Sequence, residues 1–312
     1  MFPIIPANSA TVSPTENDEG IFGYGYDGTN YAVSNLVSNT GVVASDAAAV
    51  GTARRGLAAC EYGEDKGIFG FGWAAIDVSI TNLVSNAGVV ASDQAATTGT
   101  ARSAPAACEY GGDKGIIGFG SYGWPAAATT NLVSNAGVVA ADQAATTGTA
   151  RLGLKACEYG GDKGIFGFGA AYDPGRPGWD LFGLTNLVSN TGVVASDTAA
   201  VGTAREYPAA CGYGGDKGIF TNGFASGGRV TTKNLVSNAG VVASDVAGVG
   251  TVRYTTAGCE YGGDKGIFGY GSLVGNTYTN ITNLVSNTGV VASDQAATTG
   301  TSRGFLAACS FN

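Results

Sequence analysis

The chain has 312 residues, of which 52 are glycine, one is methionine and 13% are charged, with 44% hydrophobic residues and a formal net charge of -8. So much glycine suits tightly turned β-structure rather than helices, the apolar share speaks against disorder, and an acidic balance with no basic cluster excludes nucleic acid as a partner. There is no histidine, which removes Ser-His-Asp and Cys-His nucleophilic sites and any zinc or copper site built on imidazole.

Residues 1–19 share nothing with the rest of the chain, and Pro3, Pro6 and Pro14 make helix or central strand a poor fit there. This stretch reads as an extension, either lying on the surface or anchoring the protein to a partner. It has neither a basic start nor a long apolar region, and no apolar run along the chain is long enough to span a bilayer, so no secretory signal and no membrane insertion are expected.

From Gly20 the sequence is an array. Asn-Leu-Val-Ser-Asn recurs at Asn35, Asn82, Asn131, Asn186, Asn234 and Asn283, with spacings of 47, 49, 55, 48 and 49 residues. A period near fifty built of short extended runs is the mark of a circular or stacked β-array, in which no single copy can bury its own apolar face. The array over 20–312 therefore forms one body. Each copy holds a run of the type AACEY (strand A), a turn GGDK, a run GIFGFG (strand B), a loop of differing length, NLVS (strand C), a tight Asn- and Gly-containing hairpin, and VVASD (strand D). In strand B, Phe69 and Phe71 are expected to point one way, and Ile68, Gly70 and Gly72 the other. Four short antiparallel strands per copy, repeated about an axis, predict an all-β, six-bladed β-propeller. The run at Leu306 to Phe311 is a strand A with no B after it, so it should complete the blade begun at Gly20 and close the ring.

Six cysteines, Cys60, Cys108, Cys157, Cys211, Cys259 and Cys309, hold one place in each copy. Equivalent places in a ring do not face one another, which predicts reduced thiols packed as small apolar groups. Asp-Lys pairs such as Asp65-Lys66 fall in the A–B turn and suit turn formation and solubility, while one Asp per turn is too few for calcium. Arg54, Arg102, Arg151, Arg205, Arg253 and Arg303 precede strand A in every copy. A structural role is expected, with each Arg bonding backbone carbonyls or the Asp at the end of strand D, such as Asp93 near Arg102.

The order of Arg, short apolar strand, turn, glycine-rich strand, variable loop and hairpin resembles the kelch repeat over residues 20–312. The family's Gly-Gly after strand B stands here as Gly-Phe-Gly or Gly-Tyr-Gly, and its Trp near strand D is absent. The repeats are most similar to glycine- and alanine-rich kelch-like arrays of tailed bacteriophages and environmental viruses. That resemblance implies a virion component, on a phage tail or capsid surface, assembled in the host cytoplasm beside other virion proteins. Oxidases built on kelch-like propellers use histidine among their copper ligands, so that activity does not carry over; no cofactor and no metal are expected.

Variation between copies points to the binding surface. Antiparallel order puts A–B and C–D turns on one uniform face, and B–C loops and D–A linkers on a diverse one. The B–C loops carry Trp73, Trp124 and Trp179 with Tyr26, Tyr122, Tyr172 and Tyr278, and the longest of them adds Asp173, Arg176 and Asp180. Aromatics among small polar residues on rigidly held loops suit recognition of a host surface glycan or receptor; alternatively, each Trp folds back to plug its own blade. Two further functions stand beside the binding module: a purely structural particle component, and a glycan hydrolase using Asp173 with Asp180. With no matching catalytic motif, the chain reads as non-enzymatic.

Overall fold

A computed structural model describes residues 18–95, 97, 99–144, 148–172, 178–298 and 300–311. Among them there is no helix, and the strands pair antiparallel in small sheets. Six sheets come from the repeated segments, each with strand B in the middle, as in Ala58–Tyr62, Lys66–Gly70 and Thr81–Val84. Five draw their three strands from consecutive segments. The other joins Glu19–Tyr26 and Asn30–Val37 to Ala307–Phe311, with Gly20 opposite Ser310 and Ile21 opposite Cys309.

Glycine in strand B is explained by how closely the sheets stack. A methyl on Gly115 would meet the Cys60 sulfur of the preceding sheet at 2.5 Å, and one on Gly23 would meet the Phe69 ring of the following sheet at 2.6 Å. Both contacts recur around the molecule, including Cys259 over Gly20 and Phe22 over Gly269. All six thiols are free and buried in these seams. Such interlocking leaves the apolar clusters shared between neighbouring sheets; one joins Ile21, Tyr24, Phe69 and Phe311.

The A strands neighbour one another in the order Ala58–Tyr62, Ala106–Tyr110, Lys155–Tyr159, Ala209–Tyr213, Ala257–Tyr261 and Ala307–Phe311, and the last touches the first. Their residues line two small cavities. Just before these strands a cycle of backbone hydrogen bonds passes from copy to copy. Gly56 N–H donates to the Phe305 carbonyl (2.8 Å), Ala104 to Gly56 (2.7 Å), Gly153 to Ala104 (3.1 Å), Tyr207 to Gly153 (2.5 Å), Thr255 to Tyr207 (3.2 Å) and Phe305 to Thr255 (3.0 Å).

Two expectations need correction. Strand D does not form a fourth regular strand: its pairing is reduced to isolated bridges such as Val84 with Val90 and Ser34 with Ala47. The Asn82 amide donates to the Ala91 carbonyl (3.0 Å) and to Asp93 (2.9 Å), so a side chain interrupts the ladder and turns Asp93 toward the preceding copy. Nor do Phe69 and Phe71 share a side. Phe71 has φ 63°, in the left-handed region, which swings it into the cluster of Ile68 and Ile117 while Phe69 joins Ile21 and Tyr24.

Candidate functional site: an aromatic basin

The framework Arg residues set the level of the basin. Arg54 is fully buried; its Nε donates to the Phe71 carbonyl (2.9 Å), Nη1 to the Thr52 carbonyl (3.1 Å) and Nη2 to Asn82 Oδ1 (2.7 Å), with the guanidinium 4.2 Å from the Tyr24 ring. Arg102, Arg151, Arg205, Arg253 and Arg303 are buried in the same way, each donating Nη1 to the Thr carbonyl two residues earlier. The acid beside each Arg lies in the following copy: Arg102 Nη1 is 3.9 Å from Asp142, and Asp93 accepts from Thr52 rather than standing near Arg102. Burial would raise the Asp93 carboxyl, but hydrogen bonds from Thr52 and Asn82, with the Arg54 charge, bring it below its ordinary value. Sequence spacing suggested an ion pair within a copy because it could not show that Asp93 reaches back across the seam.

Directly after each of these Arg residues the copies diverge: Arg55-Gly56, Ser103-Ala104, Leu152-Gly153, Glu206-Tyr207, Tyr254-Thr255 and Gly304-Phe305. Eight of those residues, Arg55, Gly56, Ser103, Ala104, Leu152, Tyr207, Tyr254 and Phe305, line a cavity of about 690 Å³ whose other lining comes from the B–C loops. Trp73, Trp124 and Trp179 all line it, as do Tyr26 and Tyr278. Trp124 and Trp179 are 69% and 41% exposed, so neither plugs its own copy. With Tyr172 they form a triad of rings at 5.6, 5.8 and 6.3 Å, and Tyr26 meets Tyr278 edge-on at 6.2 Å. The floor packs likewise, Tyr207 against Phe305 at 5.3 Å and against Tyr254 at 6.4 Å. Burial pushes the Glu206 carboxyl beside this floor up to about 7.

Not every predicted residue joins the basin. Tyr122 bonds Thr129 Oγ1 of its own loop (2.7 Å). Asp180 sits in the short strand Trp179–Leu181, opposite Ala171 in Ala170–Tyr172. Asp173 and Arg176 lie outside the described residues, as do residues 1–17. The residues missed by the sequence reading are those of the linkers: Arg55, Tyr207, Tyr254 and Phe305. Their signal was present as copy-to-copy variation beside an unvarying Arg.

The opposite face repeats itself. Asp65 accepts from Asn86 (3.2 Å) and pairs with Lys66, tying the A–B turn to the C–D turn, and Asp113, Asp162, Asp216 and Asp264 do the same. Glu61, Glu109, Glu158 and Glu260 gather in one small cavity, with Gly212 and Ser310 at the equivalent places in the other two copies. Burial, then the charges of Glu61 and Glu158, push Glu109 up to about 10; burial and the same two neighbours push Glu260 well above the carboxylate range. No family model matches the chain, and no curated protein matches it.

Proposed function

We propose that the six repeat sheets are the blades of a closed, kelch-like β-propeller and that the protein is a non-enzymatic carbohydrate-binding module. Closure is supported by the cyclic order of A-strand contacts and by the hydrogen-bond cycle through Gly56, Ala104, Gly153, Tyr207, Thr255 and Phe305. The observation that carries the binding role is the convergence of all three tryptophans, from three different loops, on one open cavity. Flat rings supply apolar area for the C–H faces of sugars, while loop Asp, Asn and backbone groups supply hydrogen bonds to hydroxyls. The kelch-like viral resemblance makes the ligand a host surface glycan and the setting a virus particle, with the uniform face turned to other particle proteins.

The test is binding of the purified chain to an array of host-envelope glycans, followed by titration calorimetry on the hits. Trp124→Ala and Trp179→Ala are each expected to weaken binding about tenfold or more, since stacked aromatic anchors dominate such sites. Binding that survives both substitutions, or no binding to any glycan, would refute this reading.

A further inference from the structure

We infer that the sugar bound in the basin is anionic and that Arg55 holds its carboxylate; this rests on the carbohydrate reading above. Arg55 is the one cation lining the cavity among the described residues. Its guanidinium is clamped between two rings, 4.1 Å from the centroid of Tyr26 and 4.3 Å from that of Trp73. Clamping by its faces leaves only the guanidinium edge, with its N–H donors, to make further bonds. The adjacent Arg54 spends its donors on framework acceptors, whereas Arg55 has no ion pair and no side-chain hydrogen bond among the described residues.

The only acid lining the cavity among the described residues, Asp27, is occupied within its own loop, accepting from Thr29 N–H and the Tyr31 hydroxyl. A second guanidinium, Arg229, packs 4.7 Å from the ring of Tyr254, itself a lining residue. The lining is thus balanced, one cation to one acid, in a chain of net charge -8, and what sets Arg55 apart is its free donors rather than a net positive field. Distant repulsion is screened beyond about 8 Å at physiological salt, so the contact charge decides. An orphan guanidinium fork fixed in an aromatic wall matches a planar carboxylate in two parallel hydrogen bonds, the geometry of a uronic or sialic acid whose carboxylate meets the guanidinium edge between Trp73 and Tyr26. A neutral sugar gains no charge-assisted bond there.

Titration calorimetry of the full chain would compare sialyllactose with lactose, and oligogalacturonate with its carboxyl-reduced form, with a sulfated oligosaccharide as a further arm. The expected result is a carboxylated member bound about tenfold or more tighter than its neutral partner, the scale of one charge-assisted contact. Arg55→Gln should erase that preference, and Arg55→Lys, which keeps charge without the fork, should lose most of it. Trp179→Ala should weaken both partners alike. Equal affinity for charged and neutral partners would overturn the anionic assignment while leaving the carbohydrate reading standing. A preference for the sulfated sugar alone, or full preference retained in Arg55→Lys, would overturn the carboxylate fork. No binding by any arm would remove both. Thermal melting checks that the Gln variant is folded; should it not be, the Lys variant decides.

Discussion

Cys60 and Gly115 belong to different sheets, so the contact between them reports directly on how the sheets stack. A Cβ at Gly115 would lie 2.5 Å from the Cys60 sulfur and 3.1 Å from the Glu61 carbonyl oxygen. That is roughly 1 Å inside ordinary non-bonded contact with a thiol that is itself buried. Gly115→Ala should therefore cost about 1–3 kcal/mol by overpacking, partly offset by about 0.4–1 kcal/mol from the stiffer unfolded chain. Cys60→Ala alone loses a buried sulfur and leaves a small void, for about 1 kcal/mol. In the double variant the new methyl fills the space the sulfur vacates. Its stability should return to within about 1 kcal/mol of the original, a coupling of about 1–2 kcal/mol read from urea midpoints of the four proteins. Losses that simply add, within about 0.5 kcal/mol, would refute the stacking and the packing role assigned to the thiols.

The same geometry fixes three more outcomes. Arg54→Met strands the Phe71 and Thr52 carbonyls and Asn82 Oδ1, and should cost roughly 3–5 kcal/mol in urea, with Arg54→Lys failing to rescue because it lacks the fork. Thr301→Val removes the bond to Asp46 and should cost about as much as Thr100→Val, which removes the bond to Asp142, roughly 1–2 kcal/mol each; a silent Thr301→Val would show that the ring does not close. Glu109 is held protonated in the folded protein, with a value raised to about 10, so it binds a proton there that the unfolded chain releases near its ordinary value of 4.5. Stability should accordingly fall as pH rises from 5 to 8, below the point where Lys155, lowered to about 8 by burial, begins to act in the opposite sense. Glu109→Gln should make that slope shallower in thermal melts, with Glu260 and Glu206 supplying the remainder in the same sense, and an unchanged slope would refute the carboxyl cluster.

The repeat, the A, B and C strands and the reduced thiols were all legible, because each is fixed by a periodic pattern that six copies state six times. Strand D was not legible as an edge. Its Val-Val-Ala-Ser pattern is that of a strand, and only the Asn82 amide shows why the ladder breaks. The side taken by Phe71 had a signal that alternation hid: the equivalent residue in the fifth copy is Asn222, a type tolerant of the left-handed region, and it has φ 60°. The loop tryptophans could be picked out as variable aromatics. That they would meet over a floor of linker residues could not, because the floor exists only once six linkers are brought to one axis.

The floor carries strain that the framework does not require. One position per copy, the second after the framework Arg, has φ of 57° at Gly56, 51° at Ala104, 62° at Gly153, 46° at Tyr207, 57° at Thr255 and 55° at Phe305. The cycle of backbone hydrogen bonds fixes this conformation in every copy, and glycine satisfies it at Gly56 and Gly153 without penalty. A side chain there costs about 1–2 kcal/mol through contact of Cβ with the backbone. Tyr207 and Phe305 bear that cost, and their rings pack together at 5.3 Å along the cavity. Since two other copies meet the same backbone demand with glycine, the aromatics answer to the cavity rather than to the hydrogen-bond cycle. The strain itself is shared with Thr255, which does not line the cavity, so it is the choice of an aromatic at Tyr207 and Phe305, and not the strain alone, that follows the basin.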